Sequence, residues 1–259
     1  MKVPNLFVPG FQKTATTWLH RCFLEHPDIF VPQEDGIHYF TINYHRGEDW
    51  YNRFFADYNG ESVIADTTPS YARFSWSRER LAAFNPNAKI LVVLRNPIER
   101  AFSHYWHEKK KRTINWNFSD VLTNNVDIFD SWVATGFYSH HIEALWQLFS
   151  ADRVKIAVYD DLVADPKDYV QDIFSFLEVD ASFEPTVLRE KLNVGARRPP
   201  YKQQILHLLR GKPRRSPTEY IHGINLNVRR ELKQIYKPEI GKLQRLTNRD
   251  FSHWLDDPG

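Results

Sequence analysis

The chain reads as an α/β fold, with a mostly parallel central sheet flanked by helices. Three observations predict it. Short apolar runs alternate with amphipathic stretches along the 259 residues, which is the order of βαβ units. One run, Lys89-Ile90-Leu91-Val92-Val93-Leu94, is rich in β-branched residues and leucine, as are strands buried on both faces of a parallel sheet. The first run, Leu6-Phe7-Val8, passes through a tight turn into a segment where Trp18, Leu19, Cys22 and Phe23 share one helical face. A hydrophobic content of 42% is enough for one substantial core, so a single domain over 1–259 is expected.

In chain order, strands are expected at Asn5–Val8, Ser62–Ala65, Lys89–Leu94 and Arg153–Tyr159. Helices are expected at about 15–25, 77–84, 97–112, 137–150, 167–177 and 225–246, the last of them structural. The aromatic residues, 15% of the chain, fall largely on these helices, as in Leu145-Trp146-Leu148-Phe149, and read as core packing.

The turn Pro9-Gly10-Phe11-Gln12-Lys13-Thr14-Ala15-Thr16-Thr17 lies where the first strand gives way to the first helix. Backbone N–H groups at a helix start, with the positive end of the helix dipole, form a ready anion site. Lys13 adds a full charge, and the hydroxyls of Thr14, Thr16 and Thr17 add donors. The turn is suited to a phosphate-like group. It departs from the common nucleotide loop, which places four residues between its first glycine and a Gly-Lys-Ser/Thr triplet. Here two residues separate Gly10 from Lys13, and no glycine precedes the lysine.

A second motif lies near residue 95. The strand ending at Leu94 leads into Arg95-Asn96-Pro97, and Pro97 suits the first turn of a helix. Arg95 therefore sits at the carboxyl end of a strand, where open α/β sheets place their ligands. Ser103 follows eight positions on, about two helical turns away, so the two need a bent path to share one ligand.

Together the two motifs resemble those of sulfotransferases that use 3′-phosphoadenosine-5′-phosphosulfate (PAPS) and release adenosine 3′,5′-bisphosphate (PAP). The first is similar to their 5′-phosphosulfate loop. The second is similar to their strand-Arg-x-Pro-x-x-Arg-x-x-Ser pattern, whose arginine and serine hold the 3′-phosphate. His26-Pro27-Asp28-Ile29, Ile37-His38-Tyr39-Phe40, Gly47-Glu48-Asp49-Trp50-Tyr51, Thr68-Pro69-Ser70-Tyr71 and Gly136-Phe137-Tyr138 follow in the order of the heparan-sulfate-type branch and its bacterial relatives. The resemblance covers about residues 3 to 200. It implies a P-loop-like three-layer fold and a donor site made of Gly10, Phe11, Gln12, Lys13, Thr14, Ala15, Thr16, Thr17, Arg95 and Ser103. The implied reaction is in-line transfer of a sulfuryl group to a hydroxyl, less readily an amine, of a small molecule or saccharide, with no metal required.

In such a transfer, positioning and charge stabilisation dominate. Lys13, a flexible point charge, is the residue expected to stabilise the bridging oxygen and the departing phosphate. The acceptor needs a base, and here the chain departs from the branch it resembles. The branch carries a glutamate two residues before the histidine of its Glu-x-His-(Phe/Tyr)-Phe motif, whereas this chain has Gly36 before His38. Glu34 and Asp35 lie just upstream, and Gly36 lets the loop bend. The ordinary pKa of a histidine suits His38 for the same task. His38 and Glu34 rank equally as the base, and Asp35 third. A second departure is Thr67, where glycosaminoglycan-type members carry lysine. Both changes weaken the case for heparan sulfate as acceptor.

The segment from Arg189 to Arg215 has nine basic residues against one acid, Glu190, a formal +8 in a chain of net charge +2. Pro199-Pro200 and Lys212-Pro213 break regular structure there. One reading is a flap, about 189–217, that brings Gly195, Arg197 and Arg198 to the 3′-phosphate. Another is recognition of an anionic acceptor by Lys212, Arg214 and Arg215, and a third is a solvated basic loop.

The near-balanced charge argues against a protein that coats nucleic acid, and no run is long enough to span a membrane. A lone cysteine, Cys22, excludes an internal disulfide and suits a reducing compartment. A cytoplasmic enzyme is therefore expected, with an excised catalytic domain as the alternative. Asn117-Phe118-Ser119 fits a glycosylation acceptor by chance. His104 and His107, three apart, read as an ordinary helix face rather than metal ligands. Two other functions remain open. A P-loop kinase is disfavoured by the Gly10–Lys13 spacing and by the lack of an evident strand-end aspartate for magnesium. A non-catalytic nucleotide-binding module is favoured only by Gly36. The sequence leaves acceptor identity and oligomeric state open.

Overall fold

The computed structural model describes residues 3–111, 114, 116–122, 127, 129–189 and 223–256. Its strands are β1 (Leu6–Gly10), β2 (Ile29–Phe30), β3 (Val63–Asp66), β4 (Lys89–Leu94) and β5 (Val154–Val158). They form one sheet in the order β2-β3-β1-β4-β5, and every neighbouring pair is parallel. The principal helices are α1 (Thr16–Glu25), α2 (Glu48–Asn52), α3 (Ser75–Phe84), α4 (Pro97–Lys111), α5 (Tyr138–Leu148), α6 (Tyr159–Ala164), α7 (Pro166–Leu177) and α8 (Leu226–Thr247).

Successive strand residues point to opposite faces of a sheet, and both faces here are covered. Phe7, Ile90, Val92 and Leu94 enter one core, with α3, α4, α5 and α8. Leu6, Val8, Leu91 and Val93 enter the other, with α1 and α7. This is the three-layer α/β arrangement the sequence predicts. The expected strands and the six expected helices lie within about two residues of their observed bounds, whereas the short helices α2 and α6 add to the expected set. β2 escaped notice because two residues are too few to show alternation.

Capping residues fix several ends. Asp165 accepts from the N–H groups of Lys167 and Asp168 at the start of α7, with Pro166 in the first turn. Asn225 caps α8 in the same way. α8 is anchored by Glu239, whose carboxylate accepts from the Ser139 N–H and hydroxyl, both at 2.7 Å.

The sheet order positions the site. β1 is central, and the chain runs first to β2 and β3 on one side, then to β4 and β5 on the other. In an open α/β sheet such a reversal opens a crevice beyond the carboxyl ends of the strands. Gly10, Asp66 and Leu94 end the three adjacent strands there.

Candidate functional site

Beyond β1 the chain turns tightly around Phe11, which is buried against the rings of Tyr138 and His141 at 4.8 and 5.2 Å. Lys13 and Ala15 are left-handed, with φ of 73° and 74°. That conformation costs a non-glycine residue about 1 kcal/mol or more and persists where its surroundings hold it. Three contacts hold it here. The Thr14 hydroxyl donates to the Phe11 carbonyl at 2.6 Å, Arg95 Nη1 to the Lys13 carbonyl at 3.1 Å, and Arg100 Nη1 to the Gln12 carbonyl at 3.5 Å. α1 then begins without a side-chain cap, leaving its first N–H groups to an anion.

The two sequence motifs therefore meet, with Arg95 at the end of β4 gripping the backbone of the lysine at the end of β1. The Arg95 guanidinium also lies over the Tyr159 ring at 4.5 Å, and its carbonyl accepts from the Tyr138 hydroxyl at 2.8 Å. Asn96 caps α4 through Ile98 N–H and ties the turn to the Trp254 carbonyl. Ser103 is half-buried on α4, one turn before His107. Lys13 Nζ lies 3.3 Å from His107 Nδ1, so Lys13 and Ser103 flank one face of that helix. Burial first, then the nearby charges of Lys111, Arg95 and Lys110, pushes the Lys13 pKa below its ordinary value. An arriving anion would relieve that crowding.

The loop hydroxyls are not equivalent. Thr14 is fully buried on Phe11, Thr17 donates to Asp35 Oδ2 at 2.6 Å, and Thr16 is buried at the start of α1. His107, read from the sequence as an ordinary helix face, contacts the Lys13 ammonium through Nδ1. Its neighbour His104 is buried with Nδ1 unpartnered, and burial takes its pKa down to about 2. Among the described residues no cluster of side chains could hold a metal ion.

The three candidate bases differ in setting. Glu34 is exposed. Asp35 is also exposed and is held by Thr17, which pins its loop to the start of α1. His38 is half-buried, with Nδ1 3.0 Å from the Ser70 hydroxyl. A Cβ at position 36 would lie 3.2 Å from His38 Nε2. Gly36, at φ +98°, thus leaves room beside that nitrogen. Burial lowers the His38 pKa, against the opposing charges of Asp66 and Asp35, so the ring is neutral near pH 7. A Cβ on Gly10 would lie 3.1 Å from the Ala72 Cβ and 3.8 Å from the Pro69 carbonyl. That close approach brings the stretch bearing Ser70 against the lysine turn.

The sequence argument that no strand-end aspartate is present requires correction, because β3 ends on Asp66. Asp66 is 1% exposed and accepts from Thr68 N–H (3.0 Å), Thr68 Oγ1 (2.6 Å), Tyr51 OH (2.7 Å) and Tyr71 OH (3.0 Å). With its oxygens so engaged it is no magnesium ligand, and the kinase reading gains nothing. The signal was present in the sequence, as an acid directly before Thr67-Thr68-Pro69-Ser70. Thr67, which replaces the lysine of glycosaminoglycan-type members, is buried and hydrogen-bonded to His20 Nδ1 at 2.8 Å. Gly195, Arg197, Arg198, Lys212, Arg214 and Arg215 lie outside the described residues. No described helix is long and apolar enough to cross a membrane.

Comparison with known proteins shows the family. Mouse heparan sulfate glucosamine 3-O-sulfotransferase 3B1 is 26% identical across 96% of this chain and 65% of its own length. Mouse bifunctional heparan sulfate N-deacetylase/N-sulfotransferase 4 is 28% identical across 68% of this chain and 22% of its own length. The chain thus spans from about a fifth to two-thirds of these curated relatives. A sulfotransferase from Alicyclobacillus acidocaldarius shares the fold with a TM-score of 0.80, at 24% identity, over 99% of this chain and 100% of that one. Mouse sulfotransferase SULT7A1, solved in complex with PAP, shares it with a TM-score of 0.57, at 14% identity, over 96% and 90%. The model of the sulfotransferase domain family matches residues 4–197, and the chain belongs to that family of sulfotransferases.

Proposed function

We propose that this chain transfers a sulfuryl group from PAPS to a hydroxyl, less readily an amine, of a saccharide or small molecule. The observation that carries the reading is the hydrogen bond from Arg95 Nη1 to the Lys13 carbonyl, 3.1 Å, which joins the two donor motifs into one surface. Lys13 and the first N–H groups of α1 take the 5′-phosphosulfate, and Arg95 with Ser103 takes the 3′-phosphate. The saccharide option draws on relatives whose names specify heparan sulfate.

His38 is the base in this scheme, since Asp35 is held by Thr17 and Glu34 faces solvent. With Nδ1–H donating to Ser70, Nε2 keeps its lone pair for the acceptor proton. The acceptor oxygen forms a bond to sulfur as the bond from sulfur to the bridging oxygen breaks. The acceptor proton passes to Nε2, and the charge left on the bridging oxygen is stabilised by Lys13.

Calorimetry tests the donor assignment. PAP is expected to bind more tightly than 5′-AMP and ATP–magnesium, and Arg95→Ala to weaken PAP by roughly 10- to 100-fold, the loss of a charge-assisted contact of about 1.5–3 kcal/mol. A preference for ATP–magnesium would overturn the assignment. Transfer from radiolabelled donor onto a panel of saccharides and hydroxylated small molecules tests the base. His38→Ala is expected to lower kcat by about 10²–10⁴-fold, with Glu34→Ala near wild type. The reverse result would move the role to Glu34.

A further inference from the structure

The buried carboxylate at the end of β3 contacts neither donor motif, yet the segment bearing His38 hangs from it. Thr68 Oγ1 accepts from the His38 N–H at 3.4 Å and donates to Asp66 Oδ1 at 2.6 Å. Tyr71 OH accepts from the Tyr39 N–H at 2.9 Å and donates to Asp66 Oδ2 at 3.0 Å. Two consecutive amides of the base loop are thus held, each through one hydroxyl, by one carboxylate.

This arrangement also bears on the charge of Asp66. Each of those hydroxyls already accepts from an amide, so its own hydrogen is directed to the carboxylate. The Thr68 N–H and the Tyr51 hydroxyl add two further donors. A protonated carboxyl would bring a hydrogen of its own into a shell made of donors. These donors favour the ionised form, while burial, the larger influence, raises the Asp66 pKa above its ordinary value. His38 adopts a left-handed φ of 56°, a conformation that needs support from its surroundings.

We propose that Asp66 is the positioning residue of the base, setting the His38 backbone through Thr68 and supplying the buried negative charge that favours the imidazolium formed on proton transfer. The charged groups facing His38 are Asp66 on β3 and Asp35 on its own loop, and only Asp66 is fully withdrawn from water. The catalytic consequence rests on His38 as the base, whereas the positioning itself does not.

The test separates the two. NMR titration of the His38 ring in Asp66→Asn is expected to show its pKa lowered by about half to one unit, as a nearby buried anion is removed. PAP affinity should be unchanged, since the carboxylate touches neither donor motif. Thr68→Val, which removes the linking hydroxyl, is expected to lower kcat about 10-fold with the donor KM unaltered, and Thr68→Ser to restore it. An unshifted His38 titration in Asp66→Asn, or Thr68→Val turning over like wild type while His38→Ala is inactive, would sink the proposal. If Asp66→Asn does not fold, the Thr68 pair decides alone. A shifted titration with an active His38→Ala would instead retain the positioning and overturn His38 as base.

Discussion

Lys13→Ala is expected to lower kcat by about 10²–10³-fold, the loss that follows removal of one group aimed at developing charge. The donor KM should change far less, because on the proposed reading the first N–H groups of α1 and the Arg95 guanidinium still hold both ends of the donor. The side chain is poised for this work. Its ammonium is partly buried, crowded by Lys111, Arg95 and Lys110, and in contact with His107. Negative charge arriving on the bridging oxygen is therefore the interaction it most lacks. Lys13→Arg is expected to recover donor affinity but little of the rate, since a planar fork cannot follow one moving oxygen as a compact ammonium can. Steady-state kinetics with a melting temperature within about 2 °C of wild type checks the result. A kcat within a few-fold of wild type would remove Lys13 from the mechanism.

The fold should also be acid-labile, through histidines outside the reacting centre. Burial drives the His104 pKa down to about 2 and the His141 pKa down to about 3, with Arg100 and Arg78 respectively adding to the effect. Both folded values lie below the unfolded value near 6.5. The stability they contribute is therefore complete above pH 6.5 and is lost as pH falls toward the folded values. Each costs about 1.4 kcal/mol per pH unit in that window. Together they remove roughly 2.7 kcal/mol per unit, set against a total stability of about 5–15 kcal/mol. Asp66 and Glu239, whose pKa values burial raises, act in the opposite sense and offset part of the loss. Comparing variants isolates the histidine term. His104 carries an unpartnered nitrogen and lies 6.4 Å from the Trp132 ring, so His104→Phe should fold. It should flatten the fall in urea-derived stability between pH 6 and 4 by about 1.4 kcal/mol per unit. An unchanged slope would refute the assignment.

The parts of this structure that were legible in the sequence are those written in local pattern. β4 is a six-residue strand whose last five residues are an apolar run with no competing period, and its bounds match the expected Lys89–Leu94. The lysine turn and the Arg95 turn each follow from a strand that stops and a helix that starts. The partners of those residues were not legible, because contacts across the chain leave no local trace. Nothing near His107 in sequence places it against Lys13, 94 positions away. Asp66 was overlooked for a related reason. Whether an acid at a strand end is a metal ligand or a buried hydrogen-bond acceptor depends on its partners, and Tyr51 and Tyr71 arrive from outside the strand. Ranking Asp35 as a base similarly depended on Thr17, which engages its carboxylate from the start of α1.

The hydrogen bond from Arg95 to the Lys13 carbonyl means that donor selection and turnover share a mechanical part. On the proposed reading, the guanidinium that takes the phosphate on the ribose also fixes the peptide from which the lysine side chain extends. Changes at the two positions are consequently coupled, and their free energies should combine sub-additively, as in other networks with a common partner. On the same reading, a change at Arg95 that alters the choice of donor also loosens the lysine assigned to the transfer. On this reading, substitutions on the acceptor side of the crevice escape that coupling.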